Sequence, residues 1–217
     1  MKIFTAKEIL PFSLIVFIFA VGVLLYPILP DRIPSHWNIN GEIDAWSSKC
    51  FMVLLIPGIT LLIYLLMIFL PLIDPLKLNY QKFIMPYFWL RTVFVLFFVL
   101  LYLYTLLAAL GVEMINIRYF IVPVLSVMFI VIGLLLPSIK KNYFVGIRTP
   151  WTIHSEEVWD KTHQKSGQLF ILAGIVSLVG VFMPQYSFPI LITAILLASL
   201  SSVAYSYFVF KQIKGRE

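Results

Sequence analysis

The sequence predicts an all-α, polytopic membrane protein built as a bundle of six transmembrane helices. Of its 217 residues, 61% are hydrophobic and only 12% are charged, a balance outside the range of soluble globular domains. A helix rises about 1.5 Å per residue, so a hydrocarbon core of about 30 Å needs about 20 consecutive apolar residues. Runs of about this length occur six times, and none alternates as a barrel strand does.

We predict the spans, to within a few residues, at 9–29, 51–73, 85–110, 117–139, 168–183 and 188–210. The fifth span is short and would stand nearly upright or borrow residues from its flanks. The whole chain, 1–217, then forms one integral membrane domain. Its parts are an N-terminal module (1–73) with an outer loop (30–50), central helices (74–139), an inner loop (140–167) and a C-terminal hairpin (168–217).

The basic residues predict the orientation. An even number of spans places both termini on one side, and most Lys and Arg residues fall there: Lys2, Lys7, Lys77, Lys82, Arg91, Lys140, Lys141, Arg148, Lys161, Lys165, Lys211, Lys214 and Arg216. Only Arg32, Lys49 and Arg118 fall on the other side. The positive-inside rule therefore predicts an N-in/C-in topology. Because these charges follow one membrane face, we expect membrane lipid as their partner and no direct nucleic-acid partner.

The outer loop, "LPDRIPSHWNINGEIDAWSSK", is rich in residues that break helices and make turns. It predicts a compact, non-helical cap with a tight turn at Asn40 and Gly41. The loop's two tryptophans are expected at the level of the lipid headgroups. His36, Glu42 and Asp44 are residue types that bind zinc, but their spacing matches no ligand motif, so we interpret them as hydrogen-bonding groups that fix the turn.

The inner loop contains "GIRTPWTIHSEEVW". Gly146 frees the backbone and Pro150 keeps Thr149 out of the helical region, so the "GIRTPW" segment is expected to be extended or turned. Ser155 is the predicted N-cap of a helix that leads into the fifth span. A mostly apolar side of this helix is expected to rest in the membrane interface, formed by Val158, Trp159, Thr162, Ser166, Leu169 and Phe170.

Arg148 carries a planar charged fork that suits a carboxylate, a phosphate or backbone carbonyls. The candidate partners are the acidic residues that follow closely in the sequence, Glu156, Glu157 and Asp160, and lipid phosphate. Two interpretations stay open: Arg148 and Trp151 anchor the loop in the headgroups, or they belong to a signalling or partner-binding surface.

His154, Glu157, Asp160 and His163 recur every three residues, which suggests a metal or acid–base site. A strict three-residue step drifts around a helix, so four such side chains do not converge on one ion. Cys50 is the only cysteine, which excludes an intramolecular disulfide within the chain. We therefore predict no metal, no cofactor and no catalytic residues.

The predicted membrane interior lacks Asp, Glu, Lys and His, and Arg91 lies close enough to the cytoplasmic end of the third span to snorkel. This pattern argues against an ion-coupled transporter. In the final hairpin, Ala173, Gly174 and Ser177 are expected to pack closely against the serine-rich last span, "ASLSSVAYSY". The alternative for these small residues is a groove for a hydrophobic peptide.

Two motifs carry a resemblance to a known family. The outer loop resembles a membrane module with the pattern IP-x-H-(W/F)-N followed by G-x-x-D. The segment "VGIRTPWTIHSEEVWDKTHQKSGQLF" is similar to the G-(I/L)-R-T-P-W-T…W-x-x-T-H segment of the SdpI family, although Gln164 stands where a basic residue is expected. The matching positions are Pro34, His36, Trp37, Asn38, Gly41 and Asp44 outside, and Gly146, Arg148, Thr149, Pro150, Trp151, Thr152, Trp159, Thr162 and His163 inside. The resemblance implies that the inner positions other than Thr162 form a binding and signalling site.

The resemblance implies a non-enzymatic immunity protein of the bacterial cytoplasmic membrane, which protects a cell from a secreted hydrophobic peptide toxin. It also implies two partners besides lipid: the toxin, and an SdpR-type winged-helix repressor drawn to the cytoplasmic face when the protein senses the toxin. The competing hypothesis is a membrane-embedded enzyme that acts on lipid or peptide at that face through His154, Glu157 or His163.

Overall fold

The computed structural model describes residues 6–112, 116–183 and 185–215, so Lys2 and Arg216 of the basic set lie outside the described residues. The described residues form seven α-helices and one two-stranded sheet. The elements are α1 (Ile9–Leu25), β1 (Arg32–Trp37), β2 (Ile43–Ser48), α2 (Lys49–Ile73), α3 (Ile84–Ala109), α4 (Ile117–Leu135), α5 (Pro150–His154), α6 (Glu156–Gly180) and α7 (Ser187–Lys214). Short 3-10 segments cover Ala6–Glu8, Lys77–Phe83 and Leu136–Ser138.

The prediction of a helical membrane bundle is confirmed. Within the described ranges, five helical segments are long and apolar enough to cross a membrane by length and composition: Ala6–Leu25, Lys49–Ile73, Lys77–Ala109, Ile117–Ser138 and Ser187–Lys214. Helix α6 is as long as α2, but its first half is polar, "EEVWDKTHQK", and it does not belong to this set. A membrane crossing by residues 168–183, and with it the count of six, stays a prediction.

The helices pack in chain order. Helix α1 contacts α2 and α3, α3 contacts α4, and α6 packs between α4 and α7. Helices α4 and α6 meet backbone to backbone: a Cβ added at Gly133 would lie 2.7 Å from the carbonyl oxygen of Gly167, and one at Gly167 would lie 2.6 Å from that of Gly133. Gly174 likewise abuts the backbone of α4. The expectation that Gly174 faces the last span is therefore wrong, because glycine lets α4 approach more closely there.

Arg91 does not snorkel, contrary to the prediction from the sequence. Its side chain is buried and donates a hydrogen bond to the Glu8 carboxylate, which the 3-10 segment before α1 places against α3. The Tyr64 hydroxyl also donates to Glu8, at 3.0 Å, and the guanidinium lies over the Tyr87 ring, 4.8 Å from its centroid. A buried charge requires a partner, and Glu8 supplies it within the protein.

The outer loop is the non-helical cap that the sequence predicts, although its two strands were not predicted. Strands β1 and β2 form an antiparallel ribbon, with Arg32 opposite Ser48 and Trp37 opposite Ile43. The register shifts on either side of His36, which marks a bulged stretch. Ile33 and Pro34 turn inward and are buried, so the ribbon closes the end of the bundle.

Candidate functional site

The turn of the outer ribbon is built around Asn38. Its side-chain oxygen accepts the backbone N–H groups of Asn40 and Glu42, at 2.9 and 3.0 Å, and its amide donates to the Glu42 carboxylate at 2.9 Å. Gly41 follows with a φ of 77°, in the region that favours glycine. The expected tight turn at Asn40 and Gly41 is confirmed.

His36 and Asp44 lie side by side on the exposed surface of the ribbon. His36 Nδ1 is 2.6 Å from an Asp44 carboxylate oxygen, with side-chain exposures of 66% and 43%. Glu42 does not join them, because its carboxylate bonds to Asn38. Within the described residues, no group of three or more His, Cys, Asp or Glu side chains is placed to hold a metal ion.

The ribbon contacts the helices at two points. The half-buried Trp37 ring packs edge-on against Tyr104 of α3, with ring centroids 5.9 Å apart. A Cβ at Gly41 would collide with the side chain of Asn116, the N-cap of α4, whose amide donates to the Asn40 carbonyl at 3.1 Å. Trp37 thus packs on protein, and a headgroup position stays a prediction for the exposed Trp46.

At the opposite end, a buried polar cluster joins the loop after α2 to the inner loop. The cluster, called the polar latch, consists of Asp74, Tyr80 and Asn142. The Asp74 carboxylate accepts the backbone N–H of Tyr143 at 2.9 Å and the hydroxyl of Tyr80 at 3.1 Å. The Asn142 side chain is fully buried and accepts the N–H groups of Phe144 and Val145. The latch therefore fixes the backbone that leads into Gly146.

Gly146 and His163 lock the inner loop onto α6. Gly146 has a φ of 115°, and a Cβ there would collide with the His163 ring. His163 Nε2 accepts the backbone N–H of Ile147 at 3.0 Å, which leaves the proton on Nδ1 to donate to the Trp159 carbonyl at 2.9 Å. Burial lowers the pKa of His163 to about 4. The ring is therefore neutral at pH 7, with both nitrogens engaged.

Trp159 lies beneath His163, with its ring stacked 4.1 Å from the imidazole centroid. Its indole N–H donates to the carbonyl of Ile139, just beyond the end of α4, at 2.8 Å. The predicted apolar side of this helix does not rest in the membrane interface. Val158, Trp159, Thr162 and Ser166 are fully buried in the protein, because α6 packs this side against α4 and the loop.

The "RTPW" segment forms a helix start, where an extended or turned chain was expected. Thr149 is extended, as Pro150 requires, and caps the five-residue helix α5. Thr149 and Thr152 exchange backbone N–H to hydroxyl bonds of 2.9 and 3.3 Å, a capping box. Pro150 begins helix α5 because it occupies position N1, where its missing N–H leaves no hydrogen bond unmade. Ser155 caps α6 as predicted.

Helix α5 lies along the C-terminal part of α7. The Thr149 hydroxyl is 3.0 Å from that of Ser206. The Trp151 ring packs 5.1 Å from Tyr207, and His154 contacts the edge of Phe210. Glu157 pairs with Lys161 and Asp160 with Lys140, so the four residues at three-residue spacing point to separate partners.

Arg148 is exposed and meets none of the predicted carboxylate partners. Its Nη1 donates to the backbone carbonyl of Tyr143 at 2.7 Å. Among the described residues no carboxylate lies within ion-pair distance of it, although Glu156, Glu157 and Asp160 were within sequence reach.

Both motifs fall in regions that match known families. The SdpI/YfhL protein family matches residues 138–207, which include the inner loop, α5, α6 and most of α7. A domain of unknown function, DUF1648, matches residues 13–61, which include the outer ribbon. Immunity protein SdpI of Bacillus subtilis (strain 168) is 29% identical over 210 residues, which cover 96% of this chain and 98% of that protein. The chain is therefore similar to the SdpI/YfhL family over residues 138–207 and to immunity protein SdpI over nearly its whole length. No solved structure matches it.

The SdpI motifs divide into buried and exposed parts that the sequence alone does not separate. Thr149, Thr152, Thr162, Trp159 and His163 are buried. Arg148 and Pro150 are exposed and Trp151 is half-buried. The motif residues thus build a rigid loop at the end of the bundle and leave a small exposed surface on it.

The sequence reasoning missed the latch residues and Glu8. The sequence contains one indication that Asp74 is structural. It follows directly on a long apolar run and precedes Pro75, and a carboxylate at the end of a membrane span needs buried hydrogen-bond donors. Asn142 is a residue type that bonds to its own backbone in turns, but nothing in the sequence pairs it with Asp74 and Tyr80.

Proposed function

We propose that this chain is an immunity protein of the bacterial cytoplasmic membrane that protects its cell from a secreted hydrophobic peptide toxin. The observation that carries the proposal is the end-to-end similarity to immunity protein SdpI, over 96% of this chain and 98% of that protein. The similarity spans the outer ribbon, the membrane helices and the inner loop together.

The arrangement of the two motifs supports a further part of the proposal, that the protein also senses the toxin. Helix α4 touches both motifs: its N-cap Asn116 bonds to the ribbon turn, and just past its other end Ile139 accepts the Trp159 indole N–H. Because α4 meets α6 backbone to backbone at Gly133, a shift of α4 moves α6 as well. Toxin bound at the ribbon then favours one packing of α4 and changes the exposure of the inner loop.

The same proposal assigns the exposed part of the inner loop to the SdpR-type winged-helix repressor. Within the segment 146–154 the exposed residues are Arg148, Pro150 and His154, with Trp151 partly accessible between them. The buried residues Thr149, Thr152, Trp159 and His163 hold this surface in place.

The enzyme alternative draws no support from these residues. Both ring nitrogens of the buried His163 are engaged, and Glu157 pairs with Lys161 at 2.6 Å. His154 packs against the Phe210 ring. A nucleophile or base beside an orienting partner is what catalysis would need.

Protection is tested by expressing the chain in Bacillus subtilis cells that lack their own SdpI and exposing them to the secreted peptide toxin. The proposal predicts survival at a toxin dose that kills cells carrying an empty vector. Death at the same dose as the empty vector, while cells expressing Bacillus subtilis SdpI survive, would contradict it.

Sensing is tested by following a fluorescent SdpR-type repressor in the same cells. Trp151→Ala should abolish its movement to the membrane after toxin addition, while Trp46→Ala, an exposed tryptophan at the opposite end of the bundle, should not. Survival should persist in both variants. Unchanged recruitment with Trp151→Ala would remove the inner loop from the sensing account and leave protection intact.

A further inference from the structure

An apolar crevice opens at the basic end of the bundle, between α2 and α3 on one side and α4 and α6 on the other. It has a volume of about 370 Å³, within the range of small-ligand sites. Its walls are aliphatic and aromatic, and the inner-loop segment from Phe144 to Arg148 borders it. The walls include Met67, Leu70, Leu90, Phe94, Phe129 and Phe170.

The crevice extends from the loop into the membrane-spanning part of the protein. Leu90 and Phe94 lie in the first half of α3, which begins at Ile84. At about 1.5 Å per residue, Phe94 stands about 15 Å along the helix from its start. The apolar walls therefore run from the expected headgroup level to hydrocarbon depth, where a lipid acyl chain lies.

The one charged group of the crevice lining, Arg148, lies among the loop residues that border it. One N–H group of its guanidinium donates a hydrogen bond to the Tyr143 carbonyl. Among the described residues no carboxylate forms an ion pair with Arg148, and the Asp74 oxygens accept from Leu76, Tyr80 and Tyr143 instead. Arg148 therefore keeps N–H donors for an anion from outside the chain, and a guanidinium fork fits phosphate.

We propose that the crevice binds one anionic phospholipid of the inner leaflet, with its phosphate on Arg148 and an acyl chain along Leu70, Phe94 and Phe129. An apolar slot under a single unpaired cation matches a ligand that is anionic at one end and hydrocarbon at the other. The basic residues of this end of the bundle, such as Lys140 and Lys141, add a field that attracts anionic lipid. This site goes beyond the immunity function and does not depend on it.

The experiment uses the purified full-length chain in neutral detergent, with bound lipid counted by native mass spectrometry during titration. Wild-type protein should bind one phosphatidylglycerol more tightly than it binds phosphatidylcholine. Arg148→Gln should weaken phosphatidylglycerol binding about tenfold, because it removes the charge-assisted hydrogen bond to the phosphate. Lys165→Gln, an exposed cation outside the crevice, is the matched control and should change binding less than twofold.

A second pair of variants tests the acyl-chain part. Leu70→Trp fills the crevice and should weaken phosphatidylglycerol binding at least fivefold, whereas Leu66→Trp, one turn away on α2 and 52% exposed, should not. Inorganic phosphate at millimolar concentration should not compete with the lipid.

Equal affinity for the two lipids, full binding by Arg148→Gln or unchanged binding by Leu70→Trp would each overturn the proposal. Competition by inorganic phosphate would show that Arg148 binds a free anion rather than a lipid headgroup. That result would also overturn the proposal. If Arg148→Gln fails to fold, Arg148→Lys keeps the charge without the fork and should lose part of the preference for phosphatidylglycerol.

Discussion

The two ends of the bundle use the same residue types in opposite ways. Each end places a glycine of positive φ against a polar side chain, Gly41 against Asn116 and Gly146 against His163. Yet the ribbon's His36 is exposed on the surface, whereas His163 is 1% exposed. The histidine of the ribbon faces solvent, and that of the inner end is sealed among helices.

One ion pair of the inner end is buried as well, although Lys140–Asp160 and Lys161–Glu157 at that end are partly exposed. Asp31 and Lys49 at the ribbon are 96% and 24% exposed, whereas Glu8 and Arg91 at the inner end are 8% and 7% exposed. An exposed pair is screened by water, but a buried charge that loses its partner keeps its full desolvation cost. The inner end should therefore control stability, while the ribbon tolerates substitution and is free to bind.

The largest expected effect is at the buried pair. Glu8→Gln leaves the Arg91 guanidinium buried without a countercharge and should lower the free energy of unfolding by about 3–5 kcal/mol. Asp31→Asn at the ribbon should cost less than about 1 kcal/mol. Unfolding by a denaturing detergent, followed by circular dichroism, measures both. Similar losses for the two variants would remove the distinction between the ends.

The next effect is the pH dependence set by His163. Its folded pKa of about 4 lies below the ordinary value of 6.5, so the unfolded state binds the proton more readily. The stabilising contribution is complete above about pH 6.5 and is lost as the pH falls toward 4, a loss of about 3 kcal/mol. His163→Phe should remove this slope and, by leaving the Ile147 N–H unpaired, should cost about 1–3 kcal/mol at pH 7. If the free energy of unfolding of His163→Phe still fell between pH 6.5 and 4 by the same amount, a group other than His163 would cause the pH dependence.

A smaller effect separates two glycines of positive φ. Gly41→Ala and Gly111→Ala both force alanine into the left-handed region, at φ values of 77° and 71°, a cost of about 1–2 kcal/mol. Only Gly41 faces a neighbour, Asn116, while nothing lies within 4 Å of a Cβ at Gly111. Gly41→Ala should therefore cost about 1 kcal/mol more, through the Asn116 bond to Asn40. Equal losses of stability would show that the ribbon turn is not attached to α4.

The smallest effect is expected at the exposed pair of His36 and Asp44. A double-mutant cycle with His36→Ala and Asp44→Ala should give a coupling free energy below about 1 kcal/mol, since both side chains face solvent. Thermal unfolding of the four proteins measures it. A coupling above about 2 kcal/mol would mean that the ribbon is as tightly locked as the inner end.

The membrane helices and one helix cap could be predicted from local sequence. Apolar runs gave the membrane helices to within a few residues at most ends, Ser155 was predicted as an N-cap, and the Asn40–Gly41 turn followed from its residue types. Each of these features depends on residues a few positions apart. The short helix α5 was missed because Pro150 both ends an extended segment and begins a helix.

What the sequence could not predict depends on pairs far apart in the chain. Arg91 was assigned to the headgroups because its partner Glu8 lies 83 positions away. Gly174 was assigned to the wrong neighbour because a small residue permits close approach without naming the helix that approaches. Motif residues such as His163 were interpreted as binding groups because their burial follows only from the packing of α6 against the loop.

The central claim is that the ribbon and the inner loop lie on opposite faces of the membrane, which requires each of the three helices between them, α2, α3 and α4, to cross it. The most direct measurement is maleimide labelling of single cysteines in intact cells, in a Cys50→Ser background, with a reagent that does not cross membranes. We predict that Asn40→Cys is labelled in intact cells and that Lys165→Cys is labelled only after permeabilisation. Labelling of both positions in intact cells, or of neither, would contradict the account.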